Sequence, residues 1–536
     1  MKRLLIFAVL LAGALQANAQ SRDFSFGKGV ETQYSVLKEV AASYVDTIDY
    51  QKMLTTGIQA MLSTLDPYTV YIPEEEEEDF ELLTTGNYGG IGSLIKKRVD
   101  GGVLISEPYA GSPAVLAGLA PGDTIVAIDG KSVFGETSEQ STSRMKGVPG
   151  TEVKLTVIKG RTGKKEDVVV KRERIHIPSI AYSGIIKDSI GYIKITSFTE
   201  KLSREVRPAL ADLKNKGAKR IVIDLRGNGG GVMEEAVEMI SMFVPKGTHA
   251  MSSKGRLETM NREYYTTSAP FDTEIPLLVM VNSSSASASE ITSGALQDLD
   301  RATIAGKRTF GKGLIQSVRP VPYNGQVKVT TGKYYIPSGR CVQAIDYSHR
   351  NEDGSVGNIP DSLKKEFKTI KGRSVYDGGG ITPDIEVDEH VYSRPTLSLA
   401  YFDITGDYAI EYYKKHEKIA PATEFYLTDE EYEDFVNYAA SREFDARSAA
   451  QTALDQLITM AKREDMYDLY KAEIDALAEK VNMDKAQIIR VKKAEIKPIL
   501  EEEIVSRYYF PEMGEMVALR VDTQLDKAIE KWVSGI

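Results

Sequence analysis

Leu277-Leu-Val-Met-Val281 runs without interruption into Asn282-Ser-Ser-Ser-Ala-Ser-Ala-Ser-Glu-Ile291. The short apolar run, bounded by Asn and Ser, reads as a buried strand. The small residues after it lead into a helix that begins near Ala288 and extends to Leu299. A serine at such a junction exposes its hydroxyl, and the first N–H groups of the helix stand ready for an anion. An acyl-transfer nucleophile needs both features. Ser-rich junctions also serve as ordinary caps and linkers, so this stretch decides the local fold and leaves the chemistry to its partners.

Outward from this unit, the chain from 175 to 390 alternates strands and helices. Tyr192–Ile195 and Arg220–Asp224 read as strands and Met233–Val244 as a helix, which together describe an α/β core. Asp224-Leu-Arg-Gly-Asn-Gly-Gly-Gly231 takes a strand into a glycine-rich turn. Consecutive glycines expose backbone N–H groups as an oxyanion hole requires, although a plain strand-to-helix turn would look the same.

The base must then be found. The chain has 5 His residues, namely His176, His249, His349, His390 and His416, and none stands in a segment that reads as a catalytic loop. Lysine is the alternative partner of a serine nucleophile. Ala305-Gly-Lys-Arg-Thr-Phe-Gly-Lys-Gly-Leu-Ile-Gln316 places Lys312 between two glycines, where other chain can approach closely. An ammonium enclosed away from water falls from about 10.4 towards neutrality, as a base working near pH 7 requires. The same stretch nearly matches a phosphate loop, but Gly313 stands where Ser or Thr would hold Mg²⁺, and Leu314–Val318 continues as a strand. A nucleotide site is therefore excluded.

Before the core, residues 25–84 read as helical, with Val30, Tyr34, Leu37, Val40 and Ala41 at helical spacing and a break at Asp66-Pro67. The acidic run Glu74–Asp79 reads as a solvated first helical turn. From 86 to 173 the chain has short strands, Val103–Ile105, Thr124–Ile128 and Val153–Ile158. Asp129-Gly130 marks a turn and Ser112–Leu119 a short helix. From 395 to 536 it is mainly helical, with a capping box at Thr428-Asp-Glu-Glu431 and amphipathic segments over Ala449–Arg463 and Tyr467–Val481. That region carries no reactive cluster and reads as a packing or assembly domain.

The bulk numbers agree with this division. The length of 536 residues exceeds one core, and about two to four domains are expected. Hydrophobic content of 42% and charged content of 27% are those of a globular protein, and a net charge of −10 argues against a nucleic-acid binder. The basic start Lys2-Arg3, the apolar run Leu4–Leu15 and Ala17-Asn18-Ala19 make residues 1–19 an expected signal peptide, hence export, with the periplasm as destination. No later stretch has the roughly 18 apolar residues of a membrane span. The single Cys341 permits no internal disulfide, and in the strand-like Gly339–Ala344 it reads as a buried small hydrophobe.

Several motifs in sequence order now coincide. They are Leu65-Asp-Pro67, Tyr88-Gly-Gly-Ile-Gly92, Pro113–Gly130, Asp224–Gly231, Ser285-Ala-Ser-Ala-Ser-Glu290, Phe310-Gly-Lys-Gly313, Gln316 and Gly380-Ile-Thr-Pro-Asp384. Over residues 55–390 the chain resembles the carboxyl-terminal processing (tail-specific) proteases of the Ser/Lys peptidase class. It departs where Gly229 replaces a frequent Pro and where Ser283-Ser284 precede the serine motif. The resemblance implies a multidomain α/β fold: an α/β protease core (crotonase-like), an inserted β-rich PDZ domain, and helical N- and C-terminal regions. It implies Ser287 as nucleophile, Lys312 as base and Gln316 to orient the amine, with N–H groups of Ala288 and of Gly230 or Gly231 as the oxyanion hole. Glu290 and Asp298 take structural positions.

Residues 86–173 resemble a PDZ domain, with Tyr88, Gly89, Gly90, Ile91 and Gly92 expected to form the loop that holds the substrate's terminal carboxylate and Ser93–Ile95 to pair with its tail. The expected partners are protein or peptide C-termini, further copies of the chain and an activating adaptor. No metal, cofactor, nucleic acid or stable membrane span is expected. The resembled fold also hosts acyl-CoA chemistry, against which the PDZ-like segment and the leader argue. A non-catalytic scaffold would lack Ser287 or Lys312, and both are present.

Overall fold

The computed structural model describes residues 24–98, 101–187 and 189–535, so the expected signal peptide lies outside the described residues. It forms two compact units, residues up to 73 with 318–329, and the remainder. In the small unit a helix covers 24–43 and another Tyr50–Ser63, the second capped by the Asp49 side chain on the Lys52 N–H. The break at Asp66-Pro67 is an Asx turn, with Asp66 accepting from Tyr68 and Thr69 N–H at 2.8 Å each. A short strand, Val70–Ile72, then pairs antiparallel with Gln326–Lys328.

The acidic run forms a 3-10 turn, Glu74–Glu76, leading into the helix Glu77–Thr85. That helix belongs to the large unit because its acids meet basic partners there: Asp79 pairs with Lys146, and Glu81 with Arg174 at 3.3 Å. Next comes an antiparallel sheet in the order Ser93–Lys97, Val103–Pro108, Thr124–Ile128, Glu152–Ile158 and Lys165–Lys171. Alternation decides its faces. Val153, Leu155 and Val157 are buried while Glu152 and Lys154 are exposed. Asp129 and Gly130 have φ of 49° and 73°, the two positive values a type I′ hairpin needs, and they join Ile128 to Lys131. The helix Ser138–Met145 escaped the sequence reading, although Thr137 and Gln140 form a capping box that announces it.

The α/β core is a sheet in the order Ile180–Ile186, Ile190–Ile195, Arg220–Asp224, Leu277–Val281, Thr303–Gly306, Ile385–Glu386. The first pair is antiparallel and the rest are parallel. All of Leu277–Val281 is buried, as a strand covered on both faces must be. Ile193, Ile223, Val279 and Val281 face the helices Leu202–Asn215, Met233–Ser241 and Ala288–Asp298. Tyr192, Val222, Leu278 and Met280 face Leu525, Ala528 and Ile529 of the helix Thr523–Ser534. The last helix therefore completes the α/β core, although it lies in the stretch read as a separate helical domain. Burying a side chain such as Leu525 contributes about 1.5–3 kcal/mol.

The C-terminal region is helical, and Thr428 and Glu431 reciprocate as a capping box. Among the described residues no helix is long and apolar enough to cross a membrane. Gly339–Ala344 is not a strand. Arg340 is buried against Asp298 at 2.8 Å, and the backbone of 341–344 is committed to Gly311, Gly378 and Gly380 on separate loops. Cys341 is half-buried there, and burial pushes its thiol above the ordinary range.

Candidate active site

At the end of Leu277–Val281 the serines divide by environment. Ser285 and Ser289 are buried, and their hydroxyls donate to Leu225 O at 2.7 Å and Asn228 O at 2.9 Å. Ser283 and Ser284 are exposed. Ser287 lies between these extremes, just before the helix, with φ 55° and ψ −114°. That backbone conformation costs a non-glycine residue about 1–3 kcal/mol, and such strain holds a nucleophile proud of its turn.

The glycine loop meets this turn directly. Asn228 organises it: its Oδ1 accepts from the Gly230 N–H at 2.8 Å, its Nδ2 donates to Ile195 O at 2.8 Å, and its backbone oxygen accepts from the Ala286 N–H at 3.0 Å. A Cβ on Gly230 would stand 2.8 Å from Ser287 Cβ and 2.9 Å from Ala288 N, so only glycine lets the loop approach. This geometry corrects one expectation, because the Gly230 amide is buried and committed to Asn228. Gly231 is exposed, and its bridge to Phe198 uses Gly230 O and Val232 N rather than its own amide. Ala288, as the first helical residue, has no intrahelical acceptor for its N–H.

The third element is Phe310–Gly313. A Cβ on Gly311 would come within 2.4 Å of Ala344 Cβ, and one on Gly313 within 2.7 Å of Gln343 N. The two glycines thus admit the neighbouring loop against Lys312, which is half-buried. Gln316 donates from Nε2 to Thr330 Oγ1 at 3.2 Å, so its carbonyl oxygen is the atom able to receive an amine.

Glu290 ties the Ser287 turn to the Lys312 loop. Its side chain is fully buried. Oε2 accepts from Ser287 N–H at 2.9 Å and Lys312 N–H at 2.8 Å, while Oε1 accepts from Gly311 N–H at 2.7 Å and Thr309 Oγ1 at 2.6 Å. Burial pushes the carboxyl up, and these donors draw it only part of the way back. Every surrounding group offers a proton, which favours the carboxylate. Asn228 and this double tether of Glu290 were not legible as site elements, since an Asn in a Gly-rich turn and a Glu in a first helical turn are ordinary.

At the PDZ-like sheet, Asn87–Gly90 is a strand paired with Glu173–His176. Tyr88, Gly89 and Gly90 are therefore not loop residues, and the turn proper is Ile91-Gly92. Ile91 buries its side chain in the sheet's core. Gly92 has φ 74°, and a Cβ there would meet Ser112 Cβ at 2.5 Å. Tyr88 folds its ring over Gly90. Burial pushes its phenol up, and the facing Gly92 and Ser93 amides pull the other way. Ser93–Lys97 forms the sheet edge, where an extended peptide can add.

A model described as Peptidase family S41 matches residues 189–348. A PDZ domain model matches 104–159, and one described as "Probable PDZ-protease, C-terminal helical domain" matches 396–531. The carboxy-terminal-processing protease of Bartonella bacilliformis is 34% identical over 349 residues, covering 63% of this chain and 79% of that protein. The chain belongs to the carboxy-terminal-processing protease family. Within it, the carboxy-terminal processing protease CtpA of Bacillus subtilis is 33% identical over 330 residues, 61% of this chain and 68% of that one. A probable CtpA-like serine protease of Staphylococcus aureus is 33% identical over 314 residues, 58% of this chain and 62% of that one. The chain is accordingly a serine-type peptidase of multidomain α/β fold with a PDZ domain.

Proposed function

We propose that the protein is an exported, periplasmic endopeptidase that cleaves near the C-termini of protein substrates through a Ser287–Lys312 dyad. The observation that carries this reading is the Glu290 carboxylate, which receives the backbone N–H of both Ser287 and Lys312. Ser287 Oγ attacks the scissile carbonyl carbon and gives its proton to neutral Lys312 Nζ. The carbonyl oxygen becomes an oxyanion, received by the Ala288 and Gly231 amides. Lys312 returns the proton to the departing amine, leaving an acyl-enzyme. Water then attacks the ester, gives its proton to Lys312, and the Ser287 oxygen recovers a proton as the acid leaves. Gln316 orients the amine through its carbonyl oxygen. The Ile91-Gly92 turn receives the substrate's terminal carboxylate and Ser93–Lys97 pairs with its tail. The relatives' names, which describe carboxy-terminal processing, support this substrate class.

The helical regions and an activating adaptor are assigned to assembly and control. Ser287→Ala and Lys312→Ala should each abolish cleavage of an unfolded reporter without unfolding the enzyme, and the double variant should be no worse than either. Full activity in Lys312→Ala refutes the dyad.

A further inference from the structure

The glycine loop begins at a charge cluster that reaches into the last helix of the chain. Arg226 immediately precedes Gly227–Gly231. Its Nε donates to both oxygens of the buried Asp224, at 3.0 and 2.9 Å. On its other side, one terminal nitrogen lies 2.6 Å from Asp522 Oδ2, and the other 3.2 Å from Asp522 Oδ1 and 2.9 Å from Gln524 Oε1. Tyr192 adds a hydroxyl to Asp224 Oδ2 at 2.7 Å. A cavity of about 400 Å³ opens beside the cluster, lined by Lys194, His390, Tyr392 and Glu515 among others. The guanidinium is thus held in plane between two carboxylates, a geometry that Lys could not reproduce.

A glycine loop has little stiffness of its own, so its position depends on its anchors. Asn228 anchors its middle and Phe198 its end. Arg226 anchors its start, and half of that anchor comes from the C-terminal region. Resting on the Ser287 mechanism proposed above, we infer that Asp522, assisted by Gln524, is a positioning residue for the oxyanion loop. The C-terminal helical region would then set the catalytic geometry as well as cover the sheet. Asp522 acts through Arg226 and touches no substrate.

Asp522 also caps the last helix, accepting the Leu525 N–H at 2.8 Å. Asn and Ser cap about as well as Asp, so Asp522→Asn and Asp522→Ser preserve the cap while weakening the clamp on Arg226. Each full-length variant is assayed for kcat and KM on a quenched peptide and for thermal midpoint. Affinity is measured for a peptide aldehyde, whose adduct with Ser287 needs the oxyanion donors, and for an uncleavable tail peptide. We expect kcat to fall tenfold or more with KM within twofold, and aldehyde affinity to fall in step with kcat/KM. Tail-peptide affinity and thermal midpoint should stay unchanged. A kcat within twofold of wild type in both variants overturns the inference, as does an equal loss of aldehyde and tail-peptide affinity. If wild type forms no aldehyde adduct, or Ser287→Ala still cleaves, the dyad itself falls, which is a separate result.

Discussion

Glu290→Gln replaces one carboxylate oxygen by an NH₂ group in a site where all four neighbours donate, namely Ser287 N, Lys312 N, Gly311 N and Thr309 Oγ1. The amide relaxes best by keeping its oxygen on Ser287 and Lys312 and turning NH₂ towards Thr309, whose hydroxyl oxygen already accepts from Ile381 N–H at 2.6 Å and can take a second donor only by turning its own proton away. The Gly311 N–H is then left without an acceptor, at a cost of about 1–3 kcal/mol, and the bonds that persist lose their charge assistance. Glu290→Ala strands all the donors and opens a cavity, so its loss should exceed about 4 kcal/mol. Urea unfolding measures both. Because the Lys312 loop loses its tether at Gly311 and can shift, the Gln variant should also lose kcat, by roughly a hundredfold if the reacting centre is displaced by about 1 Å. A Gln variant within about 0.5 kcal/mol and threefold in kcat of wild type, a loss smaller than one stranded donor costs, would show that the carboxylate does not hold the two loops in register.

Three further outcomes follow from the geometry. Ser287→Gly should be more stable than Ser287→Ala by about 1 kcal/mol in urea, since glycine relieves the positive φ at this position; equal midpoints would mean the turn is unstrained. On the helix that faces Glu107 and Lys194, burial together with Glu515 and Glu503 pushes the Glu502 carboxyl from 4.5 up to about 7. A raised carboxyl favours the fold below its unfolded value and loses that contribution as pH rises through about 7. Glu502→Gln should therefore gain about 3 kcal/mol on wild type between pH 4 and pH 8, and parallel pH profiles would contradict this. Amidating a substrate's C-terminus should lower kcat/KM about tenfold, because the charge offered to the Ile91-Gly92 turn is gone; acid and amide cleaved alike would remove the PDZ domain from tail selection.

Periodicity and punctuation were enough to place most of the strands and helices. Leu277–Val281, Arg220–Asp224, Thr124–Ile128 and the helices Ala449–Arg463 and Tyr467–Val481 are where their patterns put them, because each is dictated by residues within a few positions of itself. The serine and lysine motifs were legible for the same reason. Gly339–Ala344 defeated the reading because an apolar, strand-like composition does not reveal that Arg340 must reach Asp298. Tyr88–Gly90 defeated it because pairing with 173–176 is a long-range event, and a glycine pair suits a strand edge as well as a loop.

Local sequence determined the elements and the reactive side chains, since φ/ψ preference, capping and alternation act over a few residues. Tertiary structure alone decided how far each serine is buried, that the Gly230 amide is committed to Asn228, and that Glu290 joins two loops. It also decided that a helix more than 200 residues beyond Ser287 completes the protease sheet and clamps Arg226 through Asp522. Such contacts depend on chain folded back from far away, and neither partner's sequence carries any mark of the other.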